Sequence, residues 1–323
     1  MKLRLTLTFA FAFSTLASAL TTDGKHKLVL IAGKPSHPPG MHEFRAGTML
    51  LEKCLKGVPG LVVDRHEMGW VKDESTFNDA DAVVIYADGG KGHPAVQGNH
   101  LAILKALIDK GVGFGAMHYG VEVLADVGGA EFKQWIGGHY EHQFSCNPMW
   151  EPNFTRFPQH TITSGVGSFQ IKDEWYINMR FRPAFGDGIK AATDGQTSFV
   201  PILVAAPPDA TRDGPYVYPK GPYPHIQAEK GQPESMMWAV ERPDGGRGFG
   251  FTGGHYHANW GNDQFRKAVL NALAWVAKGD VPAGGIESKV TEEDLKQNLD
   301  PKPQPKTGQT MPVPRVFQRV ASR

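Results

Sequence analysis

The first half of the chain alternates short apolar runs with amphipathic segments, and this alternation constrains the fold more than any other feature of the sequence. The apolar runs are rich in β-branched residues and leucine, which is typical of strands that are buried on both faces. They are HKLVLIAG (26–33), LVVDRHEM (61–68), DAVVIYAD (81–88) and VGFGAM (112–117). Because helical segments alternate with these strands, the sequence predicts a parallel sheet with helices on both faces.

The segments between the strands have the periodicity of amphipathic helices. MHEFRAGTMLLEKCLKG (41–57) and VQGNHLAILKALIDKG (96–111) each end at a glycine, as helices commonly do. GVEVLADVGGAEFKQWIGG (120–138) is predicted to begin as a third helix. The predicted inward faces carry Phe44, Met49, Leu50, Cys54 and Leu55 in the first helix and Leu101, Leu104 and Ile108 in the second.

The pattern changes after about residue 137, where short strand-like runs replace the alternation. A loop rich in Pro, Gly and Tyr (207–234) precedes two strands that an Asp-Gly-Gly turn joins as a hairpin (236–254). A final helix (262–279) follows, and residues 280–323 are predicted to be an extended or disordered tail because they are rich in proline. We therefore predict one α/β domain over residues 20–279, a doubly wound, mainly parallel sheet with late strands and insertions.

The N-terminus has the composition of a secretory signal peptide. Lys2 and Arg4 supply the positive charge, residues 5–16 an apolar run, and Ala17-Ser18-Ala19 a cleavage site. We expect residues 1–19 to be removed and the mature protein to be exported to the periplasm or the cell exterior. The apolar run is too short to span a bilayer, so no membrane span is expected after cleavage.

The net charge gives no reason to expect two classes of partner, and the cysteine content leaves a disulfide open. With 34 Lys+Arg against 33 Asp+Glu the formal charge is +1, which gives no sign of nucleic acid or an anionic membrane as a partner. The two cysteines, Cys54 and Cys146, could pair in an oxidising compartment. The helical register around Cys54 favours a buried free thiol instead.

The histidines are concentrated where predicted strands end. The chain contains 13 of them, and four polar loops with histidines follow strands. These loops carry His37, His42 and Glu43, then Asp88 and His93, then His118, and finally His255 and His257. Since ligands bind at the carboxyl ends of parallel strands, we expect His42, His118 and His255 to line one cleft. Structural roles remain open for His42, as a residue at a helix N-terminus, and for His93, as a turn residue.

Imidazoles in such a cleft can bind a metal or move protons. Neutral histidines bind Zn, Mn or Fe, and Glu141 or Glu174 could complete the ligand set. They can also act as general acid and base near neutral pH. The chain lacks the H-E-x-x-H and G-x-S-x-G motifs. GGRGFGF (245–251) lies within a hairpin rather than before a helix, so no nucleotide cofactor is expected.

Two further segments suggest how a substrate would be held. In GFTGGHYHANWG (250–261), an extended backbone would direct His255 and His257 to the same side. The loop with Tyr216, Tyr218 and Tyr223 offers aromatic rings on which a sugar could stack, although a proline-stiffened surface loop is the plain alternative.

The predicted strand-to-helix elbow GVGFGAMHYG (111–120) resembles the elbow that holds the nucleophilic cysteine in class I glutamine amidotransferases. Met117, His118 and Tyr119 occupy it here, and neither cysteine is nearby in sequence. A cysteine-dependent amidotransferase is therefore excluded on chemical grounds.

Six motifs in the same order resemble the ThuA-like (trehalose-utilisation) family, and more narrowly its exported members. They are SHPPGMHEFRAG, ADGGKGHP, GFGAMHYGVE, WIGGHYEHQFSCNP, IKDEWY and GRGFGFTGGHYHANWGNDQFRKAVLNALAWVAKG. The resemblance covers about residues 26–279. It implies a flavodoxin-like, glutamine amidotransferase-like fold without the catalytic cysteine.

The resemblance also implies a role in carbohydrate catabolism, with 3-keto-glycosides made by a partner sugar oxidoreductase as substrates. It implies catalytic roles for His118, His255 and Glu174, with His42, His118 and His255 as metal ligands. The substrate-binding residues that we predict are His37, His93, His257, Tyr216 and Tyr223.

Three functions compete at this point. The leading hypothesis is a metal-assisted hydrolase or lyase that acts on an oxidised sugar, since a histidine base and a Lewis acid are what such an elimination requires. The alternative is a non-catalytic carbohydrate-binding protein on a degenerate amidotransferase scaffold. The third is a structural or partner-binding domain, which fold alone does not exclude.

Overall fold

A computed structural model describes residues 24–303 of the protein. The strands are β1 (His26–Ala32), β2 (Leu61–His66), β3 (Ala82–Tyr86), β4 (Gly113–Met117), β5 (Gly138–His139), β6 (Met149–Trp150), β7 (Asn153–Phe154), β8 (Phe169–Gln170), β9 (Asp173–Glu174), β10 (Arg180–Phe181), β11 (Ala192–Thr193), β12 (Ser198–Ala205), β13 (Glu234–Glu241) and β14 (Arg247–Phe251). The α-helices are α1 (Phe44–Leu55), α2 (His100–Ile108), α3 (Gly129–Trp135), α4 (Asp209–Arg212), α5 (Pro224–Ala228) and α6 (Asp263–Val276).

In the described part of the chain, eight strands form the central sheet, in the order β11-β12-β13-β14-β4-β3-β1-β2. The pairs from β2 to β14 are parallel, whereas β13 pairs antiparallel with both β14 and β12. Read from the β2 edge, the parallel part has the 2-1-3-4-5 order of flavodoxin-like folds, with β14 as the fifth strand. The predicted α/β fold, a doubly wound and mainly parallel sheet with late strands and insertions, is confirmed.

Helices cover both faces of the sheet because alternate residues of its buried strands point to opposite sides. In β1, Leu28 and Leu30 belong to the apolar cluster that contains α1 and α6. Val29 and Ile31 belong to the second cluster, which contains residues of α2 and α3. All four side chains are fully buried, which explains why the strand is a continuous apolar run.

The third predicted helix begins later than the sequence suggested. Residues 118–121 form a 3₁₀ turn after β4, and α3 starts only at Gly129. His118 has a φ of 54° and Gly128 a φ of 94°, so the backbone leaves the right-handed helical region at both positions. The prediction that a helix begins directly after β4 is therefore wrong.

Residues 280–303 follow an irregular path against the domain. Ile286 and Val290 are buried in the apolar cluster of α1 and α6, and a short 3₁₀ turn spans Asp294–Lys296. The predicted signal peptide and residues 304–323 lie outside the described residues. Within residues 24–303, no helix is long and apolar enough to cross a membrane, and Cys54 and Cys146 are free thiols.

Candidate functional site

Four neighbouring parallel strands bring polar side chains to one edge of the sheet. The loop after β1 carries His42, and Asp88 follows β3. His118 comes directly after β4, and His255 follows β14. Because β1, β3, β4 and β14 are adjacent and parallel, their carboxyl ends place these four residues together, at the edge where such folds bind ligands.

Three imidazoles and one carboxylate converge on a common point. His42 Nε2 lies 3.0 Å from His118 Nε2 and 3.0 Å from His255 Nδ1, and the last two atoms are 3.3 Å apart. Glu174 Oε2 lies 2.7 Å from His255 Nδ1 and 3.5 Å from His118 Nε2. All four side chains are buried. The predicted convergence of His42, His118 and His255 is what the structure shows.

The spacing of these four atoms matches the ligand shell of a small metal ion. Imidazole nitrogens bind zinc at about 2.0–2.1 Å, and a tetrahedral arrangement at that radius separates ligand atoms by about 3.3 Å. The five separations above range from 2.7 to 3.5 Å. Without a metal, protons shared among these nitrogens and the Glu174 carboxylate hold such a cluster together, and a metal ion can take their place. The geometry thus fits a three-histidine, one-glutamate metal site.

Hydrogen bonds on the far side of two rings fix which nitrogen faces the cluster. His42 Nδ1 lies 2.7 Å from Asp88 Oδ1, and His118 Nδ1 lies 2.9 Å from the carbonyl oxygen of Thr252. Both oxygens accept a hydrogen bond, so each Nδ1 carries the proton. The lone pair of each Nε2 is therefore directed into the cluster, as in many metal sites where a carboxylate or carbonyl orients the ligand.

A buried carboxylate holds the loop that carries His255. Asp173 accepts hydrogen bonds from the backbone amides of Gly254 and His255 at 2.8 and 3.1 Å. It also accepts one from Asn259 Nδ2 at 3.0 Å. The outer nitrogen of His255, Nε2, is buried and has no hydrogen-bond partner among the described residues. The position of this ring is thus set by its backbone rather than by a bond to its outer nitrogen.

Glu174 comes from an insertion and not from the central sheet. It ends β9, which among residues 24–303 pairs with β6 alone. Its Oε1 accepts a hydrogen bond of 2.7 Å from Asn147 Nδ2, which leaves Oε2 to face the histidines. The backbone amide of Tyr218 donates to Asn147 Oδ1 at 3.1 Å. The tyrosine-rich loop is therefore linked to the cluster through Asn147.

The electrostatics of the cluster favour a bound cation. Burial lowers the pKa of His42, and the charges of His118 and His255 lower it further. Burial would also lower the pKa of His118, but the hydrogen bond and charge of Glu174 outweigh it and raise that pKa. Burial raises the pKa of Glu174, yet hydrogen bonds with the two histidines outweigh it and keep the carboxylate ionised. A bound metal ion would replace the protons that Glu174 shares with His118 and His255.

Three histidines at this edge have a backbone conformation that is uncommon outside glycine. His37, His42 and His118 have φ values of 56°, 48° and 54°. Such conformations cost free energy and tend to occur at functional sites, where the surrounding structure enforces them. At His42 the amide donates to the carbonyl of His255 at 3.0 Å, so the loops of two metal-ligand candidates hold each other.

A sequence profile of the family described as "ThuA: Trehalose utilisation" matches residues 29–276, which contain all four residues of the cluster. The chain belongs to the ThuA family. None of the curated proteins matches the chain.

Solved structures of ThuA-like proteins share this fold at low sequence identity. A putative ThuA-like protein from Bacteroides uniformis is 13% identical with a TM-score of 0.53, covering 78% of this chain and 91% of that one. One from Parabacteroides merdae is 16% identical with a TM-score of 0.50, covering 83% and 94%. The glutaminase domain of Trypanosoma brucei CTPS is 11% identical with a TM-score of 0.42, covering 83% and 98%.

In this ThuA chain His37 lies at the rim of the cluster. Its ring stacks on that of His42 with centroids 3.5 Å apart, and its Nδ1 is 3.6 Å from Asp88 Oδ1. Its side chain is 37% exposed, in contrast to the buried ligand candidates. His37 can therefore reach a molecule that occupies the cleft.

The structure does not bring His93 and His257 into the cluster. His93 is fully buried, where its Nδ1 accepts from the amide of Ala95 and its Nε2 donates to the carbonyl of Gly120. His257 begins a 3₁₀ turn, so the segment does not stay extended after His255. Its buried ring lies near Glu43 and Lys302, and burial lowers its pKa to about 4. The His93 ring therefore stabilises its own loop, which is the alternative that the sequence left open, whereas neither ring nitrogen of His257 has a hydrogen-bond partner among the described residues.

The predicted tyrosines differ in accessibility. Tyr216 is 1% exposed and its hydroxyl donates to the carbonyl of Arg212. Tyr223 is half-buried, with a buried hydroxyl. Tyr218, between them, is 71% exposed. The ring available for stacking is therefore that of Tyr218.

Glu141, the other carboxylate considered as a metal ligand, does not join the cluster. It accepts hydrogen bonds from the guanidinium group of Arg180 instead.

Sequence reasoning missed Glu122, which lies four residues after His118. Its carboxyl is half-buried, and burial together with the charge of Glu174 raises its pKa to about 8. Gly90 leaves room beside it: a Cβ there would lie 3.6 Å from Glu122 Oε1 and 3.9 Å from the hydroxyl of Tyr119. A carboxyl that stays protonated near neutral pH is a candidate proton donor. The sequence signal that could have identified Glu122 was its position four residues after His118, at the end of a predicted strand.

Proposed function

We propose that this ThuA-family protein is a metal-dependent enzyme that cleaves a glycoside by hydrolysis or elimination. The observation that carries the proposal is the convergence of His42, His118, His255 and Glu174, whose ligand atoms all lie within 4.8 Å of one another. Three imidazoles and one carboxylate suit Zn, Mn or Fe. When bound, such an ion supplies a Lewis acid that polarises a carbonyl or hydroxyl oxygen of the substrate.

Groups outside the ligand set supply proton transfer. His37 is exposed at the rim and in contact with His42, which suits it to accept a proton. Glu122 is the candidate donor, because its carboxyl keeps a proton near neutral pH. In the elimination that we propose, His37 takes the proton of a ring C–H next to a keto group. The electron pair of that bond forms a C=C bond, the glycosidic C–O bond breaks, and the leaving oxygen takes the proton of Glu122.

The proposed substrate is a 3-keto-glycoside, since the keto group acidifies the adjacent C–H. A sugar oxidoreductase would have to supply it. Tyr218 offers an exposed ring, and its backbone amide is linked through Asn147 to Glu174 of the cluster. Such a ring can contact the apolar face of a pyranose. We also propose that the protein is exported, on the basis of its N-terminal sequence.

The test compares the metal-loaded wild type with His118→Ala on a 3-keto-glycoside, with sugar release as the readout. Wild-type turnover that His118→Ala abolishes is the expected result. His26→Ala is the matched control, because His26 begins β1 and so lies at the opposite edge of the sheet. Metal-dependent sugar binding without turnover would favour the non-catalytic carbohydrate-binding alternative.

A further inference from the structure

The C-terminal segment of the described chain crosses to the loop that carries His42. Lys302 Nζ donates to the carbonyls of Met41 and His42 at 2.5 and 3.1 Å. The same ammonium lies 3.1 Å from Glu43 Oε1, and both side chains of this pair are almost fully buried, at 3% and 1% exposure. These contacts join residues about 260 positions apart in the sequence.

Glu43 links the segment to the loop on its other oxygen as well. Its Oε2 accepts a hydrogen bond of 2.9 Å from the amide of Asp300. Its Oε1 also accepts one of 2.8 Å from the amide of Gly40. Glu43 precedes α1 but makes no capping hydrogen bond to that helix, so its carboxylate serves the loop and the C-terminal segment instead.

The sequence around Lys302 limits the entropy lost when the segment docks. Lys302 lies between Pro301 and Pro303. Proline fixes its own φ and restricts the residue before it to extended conformations. Asp300 and Lys302 are therefore held extended before any contact forms, which reduces the conformational cost of ordering the segment.

We propose that residues 300–302 form a strap that positions His42 for metal binding, with Lys302 and Glu43 as its positioning residues. The left-handed backbone of His42, with a φ of 48°, requires support from its surroundings. On one side this support is the backbone of the 255–257 segment, through the bonds from His42 to His255 and from His257 to Gly40. On the other side it is the strap. The inference rests on the proposed metal-binding function.

Lys302→Met tests the strap, because it removes the ammonium and keeps a long apolar side chain. We expect the Zn²⁺ affinity, measured by competition with a chromophoric chelator, to fall roughly tenfold to a hundredfold, as for other groups that support metal ligands. In the metal-free protein, hydrogen exchange of residues 40–43 should become faster while that of α6 stays unchanged. Glu43→Gln should act in the same way. Lys296→Met is the control, since Lys296 is 67% exposed on the same segment.

Unchanged exchange of residues 40–43 and unchanged Zn²⁺ affinity in Lys302→Met would overturn the strap. Faster exchange throughout the chain would also overturn it, because that result indicates a general role in stability. A wild type that binds no Zn²⁺ contradicts the proposed function instead, and the exchange of residues 40–43 then still decides whether the strap holds the loop.

Discussion

His42 Nδ1 lies 2.7 Å from Asp88 Oδ1, on the side of the ring that faces away from His118 and His255. The carboxylate accepts the Nδ1 proton and so leaves Nε2 as the nitrogen that faces the cluster. Asp88 follows β3 while His42 follows β1, and these strands are neighbours. The carboxylate that orients His42 thus lies at the end of the strand next to β1.

Asp88→Asn should weaken metal binding with little effect on the fold. The amide keeps the shape of the side chain but removes the charge that fixes the His42 tautomer, and loss of such a group reduces metal affinity roughly tenfold to a hundredfold. A Zn²⁺ competition titration measures this. Asp126→Asn, at an exposed position, should bind like the wild type. Wild-type affinity in Asp88→Asn would contradict the proposed orienting role.

His93→Ala should show the opposite behaviour, a loss of stability with metal binding retained. Its imidazole bridges the amide of Ala95 and the carbonyl of Gly120 inside the protein. Leaving these groups without partners costs about 1–3 kcal/mol. Urea unfolding of the metal-free variant measures the loss, and the Zn²⁺ titration serves as the second readout. Reduced metal affinity at unchanged stability would instead place His93 in the site.

Glu122 should make the metal-free protein less stable as the pH rises. Its folded pKa of about 8 lies above the value of about 4.3 for an unfolded chain. The folded state therefore keeps a proton that the unfolded state releases between these values, and stability falls through that window by at most about 1.4 kcal/mol per pH unit. Glu122→Gln removes this contribution.

Unfolding at pH 5 and pH 8 tests this linkage. The loss of stability between the two pH values should be smaller in Glu122→Gln than in the wild type, because only the wild type must ionise a half-buried carboxyl. Glu151→Gln, at an exposed position, should lose as much as the wild type. An equal loss in all three proteins would show that Glu122 titrates normally.

Tyr218 and Tyr216 should separate substrate binding from stability. Tyr218→Ala removes an exposed ring, so we expect KM to rise about tenfold, equivalent to ~1.4 kcal/mol of binding, with an unchanged melting temperature. Tyr216→Phe removes a buried hydrogen bond to Arg212 and should cost about 1 kcal/mol of stability with KM unchanged. Steady-state kinetics and thermal unfolding of both variants measure KM and stability and so test this assignment. The reverse assignment would place Tyr216 in the substrate site.

Local periodicity was enough to predict the parallel strands β1 to β4 and the helices α1, α2 and α6, and with them the meeting of three histidines. Leu28 to Ile31 form a continuous apolar run because both faces of β1 are covered. Once β1, β4 and β14 are parallel, His42, His118 and His255 must share an edge. Ligand chemistry offered Glu141 and Glu174 equally, and only the resemblance favoured Glu174, since it lies in an insertion whose path no periodicity predicts.

Two of the predicted substrate-binding histidines lie outside the cluster, at points where the backbone changes direction within one or two residues. His257 leaves the expected side because a 3₁₀ turn begins there, and His93 turns inward to bond Ala95 and Gly120. The role of Lys302 depends on a contact with Glu43 from the other end of the chain. Sequence spacing contains no information on such distant pairs.

The metal content of the purified protein tests the central claim most directly. The full chain is incubated with Zn²⁺, freed of unbound ion by gel filtration and assayed by mass spectrometry, together with a His118→Ala/His255→Ala variant and the His26→Ala control. Our account predicts one ion per chain in the wild type and the control, and less than about a tenth of an ion in the double variant, because two of the four ligands are lost. A wild type without metal, or a double variant that retains a full equivalent, would contradict it.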